Sequence, residues 1–240
     1  MKILLNTLML IATILMIFSC FNEEDYDQVD PKDLLTFDDH IQTAIANGSD
    51  IVNVTVSVDS KISIAKRIII FKTTLGSFVS GKGDSIVVKG DYNPKLSAKL
   101  ISTKSGIANI SAKIDNYTVT DSKPIFFDRA YPVQLTARVD SFAIRNNYKS
   151  EIIITATMKS DEGIPSQGQS VTFNAFTLEG IPIGEFLNGR NTSISDEKGN
   201  ATIRYTAGST LYRGQINFEV QTQRKDSTLI QGGTIINLID

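Results

Sequence analysis

Across its 240 residues the chain carries 24 Lys and Arg against 26 Asp and Glu, a formal net charge of −2. The basic residues are scattered among acids rather than gathered into a patch, which excludes the electrostatic footprint of nucleic-acid binding. With one cysteine and one histidine the chain can form no internal disulfide and none of the usual zinc ligand sets, so stability has to come from apolar burial.

Lys2 opens a nearly continuous apolar run, Ile3 to Phe18, which is followed by Ser19-Cys20. A charged start, an apolar stretch and a small residue before the break are the parts of a secretory leader. Ile17-Phe18-Ser19-Cys20 resembles the lipobox of bacterial lipoproteins, with Phe18 its one bulky member. That resemblance implies a signal peptide over residues 1–20, a lipidated Cys20 as the first mature residue, and a membrane partner reached through that lipid. The rival reading is an uncleaved spanning helix, because the run approaches the roughly 18–20 residues a span needs. Glu23-Glu24-Asp25 oppose it, since a membrane anchor shows Lys or Arg on its cytoplasmic side. The same acids resemble the export tag that takes Bacteroidetes-type lipoproteins to the outer face of the outer membrane, and they read equally as a solvated linker. The implied location is the outer membrane, lipid-anchored and exposed on the cell surface, with a periplasm-facing anchor as the alternative. Residues 21–36, polar and acidic, are expected to be a flexible tether.

Beyond the tether the pattern is that of strands. Asp38 to Ala46 offers at most one short helical turn. Val52, Val54, Val56 and Val58 then alternate with Asn53, Thr55 and Ser57, the period of a strand buried on one face. Comparable runs follow at residues 68–71, 86–89, 96–101, 107–114, 133–139, 152–158, 171–176, 201–205, 216–220 and 234–238, separated by Gly, Asn, Asp, Ser and Pro. Such spacing predicts an all-β protein of Greek-key sandwiches.

The runs repeat after about 100 residues, the size of one sandwich. Val52-Val54-Val56-Val58 corresponds to Ile152-Ile154-Ala156-Met158, Leu75-Gly76-Ser77-Phe78 to Ile183-Gly184-Glu185-Phe186, and Leu96-Ala98-Leu100 to Ala201-Ile203-Tyr205. Gly106, Ala108, Ile110 and Ala112 correspond to Gly214, Ile216, Phe218 and Val220. The second unit resembles the bacterial Ig-like domains of group 1, found in tandem in invasin and intimin-type adhesins. The resemblance rests on Asp161-Glu162-Gly163-Ile164-Pro165, Gly168 and Val171-Thr172-Phe173, and on the turn Asp196-Glu197-Lys198-Gly199-Asn200-Ala201. The first unit departs from it, because Asp59 to Phe71 lacks the Gly-x-Pro turn and Asp91-Tyr92-Asn93-Pro94 replaces the later glycine. The resemblance implies two tandem immunoglobulin-like sandwiches: a divergent first domain at 37–128 and a second at 129–240. Pro132, in the brief connection from Asp128, is expected to restrict motion between them.

Catalytic chemistry is not expected. His40, beside Asp38 and Asp39, has no nucleophile motif near it, and neither Asp38-Asp39 nor Asp196-Glu197 has the dense alternation of a calcium loop. No cofactor site and no metal site emerge. Gly81-Lys82-Gly83-Asp84-Ser85 looks like a phosphate cradle but leads into a strand rather than a helix, and so reads as a hairpin loop. Asp84-Ser85-Ile86 and Asp226-Ser227-Thr228 resemble short bacterial O-glycosylation signals, so Ser85 and Ser227 are candidate modification sites, with chance occurrence an even rival. The function expected is a non-enzymatic, surface-anchored adhesion, interaction or spacer module with a protein or glycan partner whose identity is open. The alternative is a carbohydrate-binding accessory lipoprotein of a glycan-uptake complex. Tyr117, Tyr131, Tyr148 and Tyr212 are its candidate stacking platforms, although the chain has no Trp.

Overall fold

The computed structural model describes residues 31–38, 42–81, 83–114, 117–118 and 122–240. Cys20, the apolar run before it, and His40 with Asp39 lie outside these residues.

The first sandwich comprises a four-residue helix α1 (Pro31–Leu34), β1 (Leu35–Phe37), β2 (Gln42–Ile45), β3 (Val52–Val58), β4 (Ile68–Thr73), β5 (Ser77–Phe78), β6 (Ser85–Lys89), β7 (Lys95–Ile101), β8 (Gly106–Ile114), β9 (Tyr117–Thr118) and β10 (Lys123–Asp128). One sheet has the order β1-β3-β7-β5, and the other β2-β10-β8-β4-β6 with β9 on β8. The second sandwich comprises β11 (Gln134–Val139), β12 (Ala143–Arg145), β13 (Ile152–Lys159), β14 (Ser170–Thr177), β15 (Glu185–Phe186), β16 (Thr192–Ile194), β17 (Asn200–Thr206), β18 (Gln215–Gln223) and β19 (Leu229–Ile239). Its sheets, β11-β13-β17-β15 and β12-β19-β18-β14-β16, repeat the order of the first. In both sandwiches a short strand lies parallel to the last strand, β2 on β10 and β12 on β19, where every other pairing is antiparallel.

The registers match the repeat residue by residue. Val52 pairs with Leu100 and Ile152 with Tyr205; Phe78 also pairs with Leu100 and Phe186 with Tyr205. Each sandwich has its own apolar core, and the alternating stripes named above line it. Phe71 and Phe78 lie 6.3 Å apart in the first core, and their counterparts Phe173 and Phe186 lie 6.5 Å apart in the second. There Tyr205 and Phe218, which replace Leu100 and Ile110, extend the cluster with an edge-to-face contact of 4.8 Å. Gly76 and Gly184 recur for one steric reason. Both have positive φ, and a β-carbon on either would overlap the carbonyl oxygen of the neighbouring strand, at Ile101 or at Thr206.

Two expectations are corrected, and one strand is added. Asp38 to Ala46 holds a strand rather than a helical turn: β2 pairs with β10, a tertiary partner that local periodicity does not reveal. The expected boundary at 37 falls too late, because Leu34 and Leu35, assigned above to the 21–36 tether, are buried in the first core and β1 pairs with β3. β10 was hidden in sequence by Pro124 and by outward-facing Phe126 between buried Ile125 and Phe127.

Candidate functional site

Two places combine exposed chemistry with a defined framework: the joint between the sandwiches and the far end of the second.

The joint is built by the loop from β13 to β14, which carries the Asp161-Glu162-Gly163-Ile164-Pro165 motif. Fully buried Ser166 is its centre. The Ser166 hydroxyl donates to Ala46 O (2.8 Å) and accepts from Ala130 N–H (2.8 Å), while Ser166 N–H donates to Ala130 O (2.9 Å). Gln169 Nε2 donates to the same carbonyl at 3.1 Å. Across the joint, Ile164 N–H donates to Asn47 O (2.9 Å) and Gln167 N–H to Thr103 O (2.7 Å). Gly163, at φ +64°, passes so close to Asn47 O that a β-carbon would overlap it. Asn47 is itself fixed, its Oδ1 accepting Ser49 N–H (2.9 Å) and Asp50 N–H (2.8 Å). The joint is therefore a hydrogen-bonded seat, more than a short proline-limited linker. The Asp196 turn supports it from behind: Asp196 Oδ1 accepts Lys198 and Asn200 N–H groups, and Gly199 lies against Ile164 and Pro165.

Beside the seat lies an open groove of about 580 Å³ with an apolar floor that includes Ile45, Ala130, Tyr131 and Pro132. Arg129 stands 5.9 Å from the Tyr131 ring centroid, and Asp161, Glu162, Arg224 and Asp226 form charged walls. The Asp226 carboxyl is held below its usual value by hydrogen bonds from the Thr228 hydroxyl and backbone N–H.

At the far tip, the second sandwich departs from the first. Between the equivalent residues Phe71/Phe78 and Phe173/Phe186 the second copy is six residues longer, and between Leu100/Gly106 and Tyr205/Gly214 it is three residues longer. The first insertion presents Leu178 and Ile181, each 61% exposed, and the second presents Leu211, 99% exposed. Tyr148, 66% exposed, stands next to them, over Gly208. The loops are tied together: Leu178 N–H donates to the Tyr212 hydroxyl (3.5 Å), Asn146 Nδ2 donates to Thr210 O (2.7 Å), and Thr210 N–H donates to Asn146 Oδ1 (2.8 Å). Arg213 and Asp240 pair at 2.8 Å on the rim.

The four candidate tyrosines separate. Tyr131 faces the joint groove and Tyr148 the tip, while Tyr212 donates its hydroxyl to Gln215 O (2.8 Å), which makes it a loop brace. The Tyr117 side chain and Lys82 lie outside the described residues. Gly81 and Gly83 turn between β5 and β6 through Gly81 N–H to Phe78 O and Phe78 N–H to Gly83 O, with no helix after them. Ser227 caps an exposed hairpin at φ +66°, whereas Ser85 starts β6 and is half-buried. Among the described residues no three His, Cys, Asp or Glu side chains gather as metal ligands. Sequence reasoning missed Ser166 and the exposed apolar tip residues Leu178, Ile181 and Leu211, though it named Tyr148. The unequal loop lengths of the two repeats were the available signal for the tip.

No protein-family profile matches the chain. In structure it is similar to the Yersinia pseudotuberculosis adhesin InvE, with a TM-score of 0.53 and 18% identity over 87% of this chain and 60% of that one. It is also similar to invasin, described as a bacterial integrin-binding protein, with a TM-score of 0.51 and 16% identity over 85% of this chain and 39% of that one. The fold is that of tandem bacterial Ig-like domains. This chain thus spans less than two thirds of either structure, and at such identity the likeness is one of architecture.

Proposed function

We propose that the protein is a non-enzymatic adhesion or interaction module, anchored by lipid on Cys20 at the outer-membrane surface and meeting a protein partner through the far tip. The observation that carries the reading is the tip itself: Leu178, Ile181 and Leu211 stand exposed on loops lengthened only in the second sandwich, with exposed Tyr148 on a third loop of unchanged length. Single exposed leucines are ordinary, but several on adjoining, mutually bonded loops form a patch suited to burial against a partner. The seat at Ser166 supports the reading, because it holds the tip out on a stiff two-domain stalk. Leu211→Ser combined with Leu178→Ser tests it in intact cells. Loss of adhesion with an unchanged unfolding midpoint is the expected result, and undiminished adhesion would sink the tip assignment. Protease shaving tests the address: the protein should be cleaved without breaking the outer membrane.

A second reading, the carbohydrate-binding accessory lipoprotein, is favoured by one observation. Tyr131 sits in a groove with Asp161, Glu162 and Arg129, an aromatic floor with polar walls of the kind that holds sugars. Glycan-array binding abolished by Tyr131→Ala would support it, and absence of binding to every glycan would remove it.

A further inference from the structure

The two sandwiches have the same topology, so their equivalent ends can be compared atom for atom. Asn47 and Asn147 sit in identical turns: each N–H donates to the carbonyl two residues back at 2.8 Å, to Ile45 or Arg145, and each Oδ1 accepts the N–H groups two and three residues on. At the first of these ends the second sandwich docks. We infer that the corresponding end of the second sandwich is closed to an Ig-like domain in series, so that the joint is directional and the tip is kept for a different kind of partner.

Four substitutions between the repeats do this. The seat in the first sandwich needs a small residue at Ala46, fully buried under Ser166; its counterpart Asn146 instead grips Thr210 in the three-residue insertion. Asn47 O accepts Ile164 N–H, and Ile101 has no hydroxyl with which to compete for it. The counterpart of Ile101 is Thr206, whose Oγ1 donates to Asn147 O at 3.3 Å and so competes for the equivalent acceptor. Gly48 leaves the approach to Asn47 open, and a β-carbon there would meet Thr103 Cγ2 at 3.0 Å. In the second sandwich the sizes are exchanged: Tyr148 replaces Gly48, Gly208 replaces Thr103, and a β-carbon on Gly208 would meet Tyr148 Cε1 at 3.1 Å. The ring therefore stands over Gly208, the counterpart of Thr103, whose carbonyl receives Gln167 N–H in the first seat. An incoming domain would have to break the Asn146–Thr210 pair and move Tyr148 off Gly208 to build an equivalent seat.

A three-domain chain tests this independently of adhesion. Residues 130–240 are appended directly to residues 21–240, so that Asp240 stands where Arg129 does in the natural joint. Cys20 is then absent, and cysteine pairs for spin labels can be placed on exposed sites: Lys99 with Thr202 across the natural joint, and Thr202 with its counterpart across the new one. The natural joint should give a narrow distance distribution and the new joint one at least about twofold broader, as expected for domains joined by a short linker without a specific interface. Ser166→Ala should broaden the natural distribution, confirming that the seat sets its width. Replacing Asn146 by Ala, Tyr148 by Gly and residues 206–213 by the sequence of 101–105 should narrow the new one, with circular dichroism verifying the fold of each variant. A narrow distribution at the unaltered new joint would overturn the inference, and so would a folded graft that stays broad.

Discussion

The phenolic oxygen of Tyr205 occupies the place where a side chain on Gly184 would begin, and the same hydroxyl donates to Ile183 O at 2.9 Å. Gly184 and Tyr205 are thus one packing unit, although 20 residues separate them in the chain. Gly184→Ala should destabilise the second sandwich by about 2–4 kcal/mol, from backbone strain at positive φ together with overlap against Tyr205. Gly180→Ala is the control: it too has positive φ, but open space lies around it, so only the strain of about 1 kcal/mol remains. Urea unfolding of the two variants separates overlap from strain.

Burial also raises the Tyr205 phenol well above its usual value of 10. The unfolded chain releases this proton near its usual value while the folded chain keeps it, so the folded state binds more protons at high pH. The contribution is intact below about pH 10 and is lost as the pH climbs further. Tyr205→Phe should lower stability at neutral pH by about 0.5–1.5 kcal/mol through the lost hydrogen bond, and should flatten the alkaline slope. Equal slopes in the two proteins above pH 10 would show that other groups control the alkaline transition.

Ser166→Ala removes a donor to Ala46 O and an acceptor for Ala130 N–H in a buried place. The expected cost is about 1–3 kcal/mol, borne by the coupling between the sandwiches rather than by either core. Calorimetry should resolve the single transition of the coupled pair into two. A uniform shift of one transition would place Ser166 in a core role instead.

Cys20→Ser tests the anchor. Lipidation contributes roughly 0.8 kcal/mol per buried methylene, and serine cannot carry the thioether. The variant should leave the membrane fraction, whereas a variant still membrane-bound after leader cleavage would rule out the lipid anchor.

The positions of most strands along the chain were legible because burial on one face imposes a period of two. Val52 to Val58 shows it without interruption and Ile152 to Met158 with one outward-facing apolar residue, Ile153, and the repeat identifies which strands are equivalent. β2 and β10 were less legible. β2 is four residues long, β10 contains Pro124, and their parallel pairing joins residues that are 83 positions apart. The Gly163-Ile164-Pro165 motif was readable as a family mark, but its service as the seat of a domain joint was not, since the partners Asn47 and Thr103 lie in the other sandwich.

By itself the sequence determined an all-β chain of two repeats and the want of residues for zinc or disulfide chemistry, because these depend on composition, period and local order. Tertiary structure alone decided how the repeats meet and where they differ in use. Backbone carbonyls make the seat, and no residue type announces which carbonyl a neighbour leaves free. Ala46 and Asn146, Gly48 and Tyr148 look like ordinary drift between repeats until folding places them at equivalent ends. There one end receives a domain and the other stands closed beneath exposed leucines.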